Sequence, residues 1–319
     1  MEADMNTKQS QIINEVKKVI NGKDEIISKV LMAFIAQGHV LMEDIPGVGK
    51  TTLVLAFSKA MGLDYKRVQC TPDIIPSDIV GFSVYNKNTG ALEFKPGAIM
   101  CNLFLADEIN RTSSKTQSAL LEVMQEGNVT VDGMSYPVPK PFAVIATQNP
   151  IGFAGTQSLP EAQLDRFIIR LQMGYPDSDS LVDILKNRQN TNPLEQVQQV
   201  ITREDLLQMQ TEANNIYMKD EMLSYITRLS EATHDHEFIR LGISPRGSLA
   251  LYSMAKAHAY CSGRDYVIPE DIMDVFQDVC AHRILLNSKA RINNITAADL
   301  LDKILKETPA PSFVREGDK

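Results

Sequence analysis

The chain has 319 residues, and 32 lysines and arginines against 40 aspartates and glutamates give it a formal net charge of −8. Hydrophobic residues make up 44% and charged residues 23%, a composition that excludes wholesale disorder and indicates a folded globular protein. The acidic balance argues against a protein that coats nucleic acid, because phosphate contacts need a basic surface, although a local basic groove stays compatible with it.

The N-terminal segment and the cysteines predict a cytoplasmic protein. The segment MEADMNTKQS has acidic residues and lacks the apolar stretch of a signal peptide, and the longest apolar run near it, residues 30–36, is too short to cross a bilayer. The four cysteines lie far apart without a CxxC pair, which favours buried thiols in a reducing compartment. We therefore expect no membrane insertion.

The first part of the chain alternates short apolar runs with helical stretches. These runs occupy residues 40–42, 67–70, 103–106, 142–146 and 167–169. Apolar runs of this length, separated by helices, are typical of buried parallel strands in a doubly wound sheet. We therefore predict an α/β domain over residues 1–174.

After residue 174 the apolar periodicity becomes almost entirely helical. For example, Pro269 opens a stretch in which Ile272, Val275 and Phe276 fall on one helical face. We therefore predict a smaller, all-helical domain over residues 175–319, with a frayed end over the last dozen residues.

Two turns interrupt the α/β alternation. Residues 82–94 form a predicted β-hairpin that turns at Asn88-Thr-Gly90, and residues 129–136 form another that turns at Asp132-Gly133. A minimal nucleotide-binding sheet needs only a helix or a loop at these places. We therefore interpret both hairpins as insertions with a function of their own.

A glycine loop between a strand and a helix is the strongest functional signal. The sequence reads Val40-Leu-Met-Glu-Asp-Ile-Pro-Gly47-Val48-Gly49-Lys50-Thr51-Thr52-Leu53. Backbone N–H groups of such a loop converge on phosphate oxygens, helped by the positive end of the helix dipole. Lys50 would neutralise the β/γ-phosphates and the Thr51 hydroxyl would ligate Mg²⁺. The residues expected to bind ATP are Gly47, Val48, Gly49, Lys50, Thr51 and Thr52.

Asp44 stands where the strict phosphate-loop pattern has glycine. That position precedes the phosphate cradle and mainly requires an unusual backbone angle, which aspartate tolerates better than most residues. We therefore expect Asp44 to adopt such an angle and to leave the phosphate loop intact.

A second strand ends in two carboxylates, in the run Leu103-Phe-Leu-Ala-Asp107-Glu108. Ligands bind at the carboxyl edge of such sheets, and successive side chains at a strand end point apart, so the two carboxylates can hold different roles. We expect Asp107 to hold Mg²⁺ through water and Glu108 to polarise the attacking water. An apolar strand that ends in Asp-Glu is common and means little alone. Downstream of a phosphate loop, it becomes a strong indication of a hydrolytic site.

Three motifs closely resemble the MoxR family of AAA+ ATPases. They are Ala106-Asp-Glu-Ile-Asn-Arg111, Lys115-Thr-Gln-Ser-Ala-Leu-Leu-Glu122 and Leu159-Pro-Glu-Ala-Gln-Leu-Asp-Arg166-Phe167, and the resemblance extends from about Ile20 to about Ile284. It implies a P-loop AAA+ core with a parallel sheet and two β-hairpin insertions, followed by a smaller helical lid domain.

The same resemblance implies a homo-oligomeric ring, usually a hexamer, that acts as a chaperone-like remodeller. The usual clients are proteins with von Willebrand A domains, or complexes that are matured with metals or cofactors. In related rings the two hairpins, the helix-2 and pre-sensor-1 insertions, would face the pore or the client.

Further site residues follow from matching motif positions singly. Asn149, which precedes Pro150, matches sensor 1 and would orient the attacking water; the alternative is a plain turn asparagine. Arg166 matches the arginine finger that reaches into a neighbouring subunit's site; the alternative is a surface ion pair with Asp165, which would stabilise little.

Arg246 matches sensor 2, which contacts the γ-phosphate of its own subunit. Ser244 is a good N-cap and Pro245 a good first helical residue, which places Arg246 in a first turn. The helix dipole disfavours a cation there unless the cation serves a phosphate.

Two features of the resemblance are looser. The segment from Ile20 to Gly22 would lie beside the adenine. Residues 154–157 read Ala-Gly-Thr-Gln where the family more often has Glu-Gly-Thr-Tyr, so client contacts are expected to differ from those of better-known members.

Other functions stay open at this point. The main alternative is a nucleic-acid motor of the related insert-bearing AAA+ helicases, which needs basic pore hairpins; the first hairpin has Lys87 but also Glu93, and the second has Asp132 and no basic residue between positions 129 and 136. A nucleotide-bound scaffold that barely turns over has little support, because Glu108, Asn149, Arg166 and Arg246 are all present. Metal insertion by a chelatase-type motor is not separable from general remodelling. We expect ATP and Mg²⁺ as cofactors and no nucleic-acid partner.

Overall fold

The computed structural model describes residues 7–149, 159–187 and 192–311. These residues fall into two compact units, the first ending at Gln210 and the second beginning at Thr211. The variant segment at residues 154–157 and most of the last dozen residues lie outside the described ranges.

The first unit is built around a five-stranded parallel sheet. Its strands and those of two hairpins are β1 (Val40–Glu43), β2 (Tyr65–Gln69), β3 (Gly81–Asn86), β4 (Ala91–Pro96), β5 (Leu103–Asp107), β6 (Asn128–Val131), β7 (Met134–Pro137), β8 (Ala143–Gln148) and β9 (Ile169–Leu171). The sheet order is β2-β5-β8-β1-β9, with every neighbouring pair parallel. All five residues of β5 are buried, as expected for a central strand covered on both faces.

Helices cover this sheet and extend the unit. They are α1 (Lys8–Lys17), α2 (Asp24–Ile35), α3 (Lys50–Ala60), α4 (Pro76–Val80), α5 (Ser114–Glu126), α6 (Glu161–Leu164), α7 (Ser178–Asn187) and α8 (Arg203–Asn214), with 3₁₀ turns at Ile109–Arg111 and Pro193–Gln196. The division between the two units falls within α8. The α/β core with a parallel sheet is confirmed.

The first unit continues past the predicted boundary after residue 174. Lys59 Nζ donates to the carbonyl of Leu194 at 2.8 Å, and the N–H of Val200 donates to the carbonyl of Ala60 at 2.9 Å. Lys8 and Asp205 form an ion pair at 2.6 Å. The chain therefore returns after β9 to pack on α1 and α3, which is why the observed division comes at residue 210 and differs from the predicted one.

Both predicted hairpins are present, one formed by β3 and β4 and one by β6 and β7. Asp132 and Gly133 have φ values of 50° and 78°, the paired left-handed conformation that tight hairpin turns favour. The ring of Phe94 in β4 stacks on that of Tyr136 in β7, with centroids 4.0 Å apart and planes 11° from parallel. The two insertions therefore contact each other through aromatic rings.

The second unit is mainly helical. Its elements are α9 (Asp220–Glu231), α10 (Pro245–Cys261), α11 (Pro269–Cys280), α12 (Ser288–Ile292), α13 (Ala297–Glu307), β10 (Ile239–Leu241) and β11 (Leu285–Leu286). The helix predicted to open at Pro269 is confirmed, with Ile272, Val275 and Phe276 buried. Strands β10 and β11 pair antiparallel, so the prediction of an all-helical unit missed a ladder that is too short to produce a periodic pattern. Among the described residues of both units, no helix is long and apolar enough to span a membrane.

Candidate functional site

The glycine loop connects β1 to α3 as predicted. Gly47 and Gly49 have φ values of 87° and 102°, in the left-handed region that favours glycine, and Gly49 immediately precedes the first residue of α3, Lys50. A Cβ atom added at Gly47 would meet no atom within 4 Å, so open space lies beside the loop at this point. The N-terminus of α3 therefore presents backbone N–H groups to a space that suits an anion.

Lys50 folds back onto its own loop. Its Nζ donates to the carbonyls of Asp44 at 2.8 Å and Ile45 at 3.0 Å. Burial lowers the pKa of Lys50, while the carboxylates of Asp44, Asp107 and Glu108 act in the opposite direction and favour the charged form. The ammonium group thus lies among anionic and carbonyl oxygens at the end of the loop, within reach of the space in front of α3.

Asp44 does not have the unusual backbone angle that its position in the motif predicts. The described non-glycine residues with positive φ are Gln37, Glu108, Asp132 and Asn294. Instead, the buried carboxylate of Asp44 accepts hydrogen bonds from the N–H groups of Met173 and Gly174, just after β9. The prediction is wrong because the side chain has a structural task that glycine lacks: it joins the end of β1 to the end of β9.

Thr147 fixes the geometry of the two carboxylates at the end of β5. Its Oγ1 donates to Asp107 Oδ1 at 2.6 Å and accepts from the N–H of Glu108 at 2.8 Å. Glu108 has a φ of 56°, which turns its backbone away from the strand direction. Thr147 was not predicted as a site residue, although a polar residue at the end of the buried strand β8, next to β5, was the available signal.

Each carboxylate also pairs with an arginine. Arg67 Nη2 and Nε donate to Asp107 Oδ2 at 2.6 and 3.2 Å, and Arg111 Nη1 donates to Glu108 Oε2 at 2.6 Å. The two arginine side chains are 43% and 48% exposed, so solvent screens both pairs. Neither arginine was predicted to belong to the site.

These groups surround a cavity of about 380 Å³, which we call the polar cavity. Its lining includes Gly47, Gly49, Lys50, Thr51, Thr52, Arg67, Gln69, Asp107, Glu108, Thr147 and Asn149. The hydroxyl of Thr51 and the carboxylate of Asp107 are hard oxygen donors of the kind that Mg²⁺ prefers. The donor set therefore fits the metal that the sequence predicts.

A second cavity of about 570 Å³, which we call the apolar cavity, adjoins the other side of the loop. Its lining includes Ile20, Asn21, Pro46, Gly47, Val48, Met173, Tyr175, Leu181, Ile184 and Leu185. The predicted adenine segment thus contributes Ile20 and Asn21, whereas Gly22 is packed so closely that a Cβ would lie 2.3 Å from Ser180 Oγ. An apolar slot with a few polar groups beside a phosphate loop suits a planar base.

The three predicted sensor and finger residues lie in different places. Asn149 follows β8 and lines the polar cavity, while Pro150 lies outside the described ranges. Arg166 follows α6 and is outside the described lining of both cavities. Arg246 is an exposed residue in the first turn of α10, where Ser244 Oγ accepts from the N–H of Gly247 as an N-cap. The predicted capping of this helix is confirmed.

Two family models match the chain. The model described as "ATPase family associated with various cellular activities (AAA)" matches residues 39–169, and the model of the AAA lid domain matches residues 231–304. The first match covers the polar cavity and the sheet as far as the first residue of β9, and the second covers most of the second unit.

Several known proteins are similar over nearly the whole chain. The chain is 45% identical over 308 residues to YeaC, an uncharacterized protein of Bacillus subtilis (strain 168), covering 97% of this chain and 96% of that one. It is 38% identical over 308 residues to the protein named Chaperone MoxR1 of Mycobacterium tuberculosis, covering 94% and 81%. It is 30% identical over 324 residues to Protein MoxR of Methylorubrum extorquens, covering 93% of each.

A solved structure has the same fold. The crystal structure of a protein from Cytophaga hutchinsonii, described as a candidate ATPase, matches with a TM-score of 0.88 and 38% identity, covering 96% of this chain and 95% of that chain. With the parallel sheet, the glycine loop and the paired strand-end carboxylates, these similarities lead to one conclusion. The chain belongs to the MoxR family of AAA+ ATPases.

Proposed function

We propose that the protein binds ATP with Mg²⁺ and hydrolyses it to ADP and phosphate. The observation that carries this proposal is the polar cavity, where Lys50 and Thr51 at the start of α3 lie with Asp107 and Glu108 at the end of β5. Backbone N–H groups of the loop, with Thr52, hold the phosphates, and Lys50 exchanges its carbonyl partners for β/γ-phosphate oxygens. The adjoining apolar cavity takes the base.

The protein's own groups divide the work of hydrolysis. Thr51 and Asp107 would hold Mg²⁺, which when bound would neutralise charge on the β- and γ-phosphates. Glu108 polarises the attacking water, and Thr147 holds its turned backbone by accepting a hydrogen bond from the N–H of Glu108. Asn149 lines the same cavity and orients the water.

We propose further that subunits assemble into a homo-oligomeric ring in which each ATP site is shared between two neighbouring subunits. Arg166 lies outside the described lining of its own cavities, which supports its action as an arginine finger on the neighbouring subunit. Arg246, a cation in the first turn of α10, serves the γ-phosphate of its own subunit. The family's usual ring is a hexamer, and we propose that size here.

The two hairpins are proposed to engage a client protein. The exposed residues of the hairpins are mixed, with charged ones such as Lys95 beside large apolar and aromatic ones. Among the latter, Phe82, Tyr85, Leu92 and Met134 are 52–64% exposed. Such a surface favours a protein client over nucleic acid, whose phosphates need cations. We propose a chaperone-like role toward partner proteins, with a von Willebrand A domain protein or a complex awaiting metal or cofactor insertion as the client.

We place this activity in the cytoplasm. The four cysteines are free, and burial raises the pKa of the Cys70 and Cys280 thiols to about 12, so these thiols stay protonated and unreactive. Free buried thiols suit a reducing compartment.

The decisive experiment uses Glu108→Gln, which keeps the size of the side chain but removes the charge that polarises water. The variant should bind ATP like the wild type and release phosphate at least a hundredfold more slowly. Calorimetry and a phosphate-release assay measure the two properties. Hydrolysis at the wild-type rate would remove Glu108 from this role, and a wild type without ATPase activity would contradict the proposal itself.

The same variant addresses the client. Because Glu108→Gln should stay bound to ATP, it should retain clients long enough for affinity capture and identification. The nucleic-acid motor makes a contrary prediction: DNA or RNA at moderate salt should raise the ATPase rate several-fold and lose this effect steeply as salt rises. We expect no stimulation.

A further inference from the structure

Arg67 occupies the carboxylate that is expected to hold the metal. Its guanidinium donates two hydrogen bonds to the same oxygen of Asp107, Oδ2, from Nη2 at 2.6 Å and from Nε at 3.2 Å. The other oxygen, Oδ1, accepts from Thr147 Oγ1 at 2.6 Å. Both oxygens of Asp107 are therefore engaged by groups of this chain.

The position of Arg67 on its strand explains this contact. In the parallel pairing of β2 with β5, Gln69 lies opposite Asp107 and Arg67 lies opposite Leu105. Residues 67 and 69 share one side of β2, so the arginine reaches along its own strand toward the sheet's carboxyl edge. Gln69 Oε1 accepts from Arg67 Nη2 at 2.9 Å and so holds the guanidinium in this direction.

A guanidinium and a divalent cation compete for such an oxygen. Both are attracted to the negative charge of Asp107, and they repel each other when they share one carboxylate oxygen. Thr147 is a neutral donor on the other oxygen and raises no such conflict. Asp107 can therefore keep its hydrogen bond with Thr147 while it binds a metal, whereas its contact with Arg67 opposes metal binding.

The two partners also differ in their freedom to move. Thr147 is 1% exposed, whereas the Arg67 side chain is 43% exposed and lines the polar cavity. Water can replace the contacts of a half-exposed guanidinium at small cost, because exposed ion pairs contribute little stability. Asp107 is thus held by a buried hydrogen bond from Thr147 and by a solvent-accessible ion pair with Arg67 that can be released.

On the basis of the proposed ATP and Mg²⁺ site, we propose that Arg67 is a positioning residue that competes with Mg²⁺. It holds Asp107 in place while the nucleotide is absent and leaves Oδ2 when Mg²⁺ arrives with ATP. Arg67 therefore weakens the binding of Mg²⁺ at this site. It should lower the affinity for nucleotide when Mg²⁺ is present but not when Mg²⁺ is absent.

Calorimetry with a non-hydrolysable ATP analogue tests this. The analogue is titrated into the full-length protein with excess Mg²⁺ and again with EDTA, and the ratio of the two affinities measures how strongly metal and nucleotide support each other. In Arg67→Gln the ratio should rise about two- to fivefold above the wild-type ratio, the range expected for a partly exposed ion pair. Loss of folding or general damage to the site would lower both affinities together and leave the ratio unchanged.

Two further variants sharpen the result. Lys66→Gln removes a cation from the neighbouring position of β2, whose Nζ donates to the carbonyl of Met100 at 3.1 Å, and should keep the wild-type ratio. Arg67→Lys keeps the charge but presents a single donor group to Asp107, so its ratio should lie between those of the wild type and Arg67→Gln.

The outcomes separate this inference from the proposed function. If the wild type binds the analogue more tightly with Mg²⁺ but Arg67→Gln has an equal or lower ratio, Arg67 does not compete with the metal and the inference is overturned, while the ATPase proposal stands. A wild type that binds the analogue under neither condition contradicts the proposed function.

Discussion

The two cavities of the first unit lie on either side of one loop and are built differently. The polar cavity is lined by charged and hydroxyl side chains at the ends of β1, β5 and β8, held by hydrogen bonds such as those of Thr147. The apolar cavity is lined by residues between α1 and α2, by the segment after β9 and by α7. Tyr175 after β9 and Leu185 in α7 are 76% and 62% exposed. The sheet edge thus carries the groups proposed to act in hydrolysis, and the more exposed peripheral segments form the wall proposed to take the base.

This contrast predicts that the largest loss of ATP binding comes from removing the cation of the polar cavity. Lys50→Ala removes the loop's ammonium group and should abolish measurable ATP binding in calorimetry. Lys29→Ala is the matched control, because Lys29 lies on α2 in an ion pair with Glu25 and is outside the described lining of both cavities. Unchanged ATP affinity in Lys50→Ala would refute the assignment of the phosphate loop.

The next largest effect concerns Arg166, which is outside the described lining of the polar cavity and is proposed to act on the neighbouring subunit. If Arg166 is an arginine finger as proposed, Arg166→Ala should bind ATP but hydrolyse it on the order of 10³-fold more slowly or worse. Mixed with equally inactive Glu108→Gln before nucleotide is added, it should regain activity. Random mixing completes about a quarter of the interfaces, so up to roughly a quarter of wild-type activity should return if sites act independently.

If no activity returns, either Arg166 acts within its own subunit or strict coordination of the ring hides the recovery. A second mixture distinguishes these two explanations. The double variant Lys50→Ala plus Arg166→Ala should inhibit admixed wild-type protein more than Lys50→Ala alone does if the finger crosses the interface. Equal inhibition, with subunit exchange shown directly, would place the action of Arg166 within its own subunit.

The sheet that carries both cavities has its own pH dependence through His39. The ring is buried, with Nδ1 accepting from the N–H of Val144 at 3.0 Å and Nε2 beside the carbonyl of Met124 at 2.9 Å, and burial lowers the pKa of His39 to about 4. As the pH falls from about 6.5 toward 4, the unfolded chain binds a proton that the folded chain does not. The free energy of unfolding should fall by at most about 1.4 kcal/mol per pH unit from this group.

Urea unfolding at several pH values measures this effect, with His39→Gln as the comparison. The variant should be less stable at pH 7 but should lose less stability between pH 6.5 and 4 than the wild type. Parallel curves for the two proteins would show that His39 does not carry the pH dependence.

The apolar cavity should respond weakly and only toward the base. Leu181→Ala removes apolar surface from its wall and should weaken ATP binding about three- to tenfold, while binding of inorganic tripolyphosphate stays unchanged. Val182→Ala on the same helix is the control, since Val182 is outside the described lining. Equal losses for ATP and tripolyphosphate would end the distinction between the two cavities.

Local patterns predicted a large part of this protein. The glycine loop, the carboxylates that end β5, the hairpin turn at Asp132-Gly133 and the capped start of α10 each depend on a few neighbouring residues and on backbone preferences. The motifs around Asp107 and Arg166 were sufficient for the family, because they combine several such signals at fixed spacing. What the sequence determined by itself is therefore the fold class, the family and the elements that carry the site.

Other features depend on contacts between distant residues, and only the tertiary structure decided them. Asp44 binds the N–H of Met173, 129 residues away, and Asp107 accepts from Thr147 and Arg67, each 40 residues away. No local pattern marks such a partner, because the pairing depends on which strands become neighbours in the sheet and on their register. For the same reason, the division of the chain at residue 210 could not be predicted. It depends on the packing of residues 194–205 onto α1 and α3, and no local sequence pattern marks it.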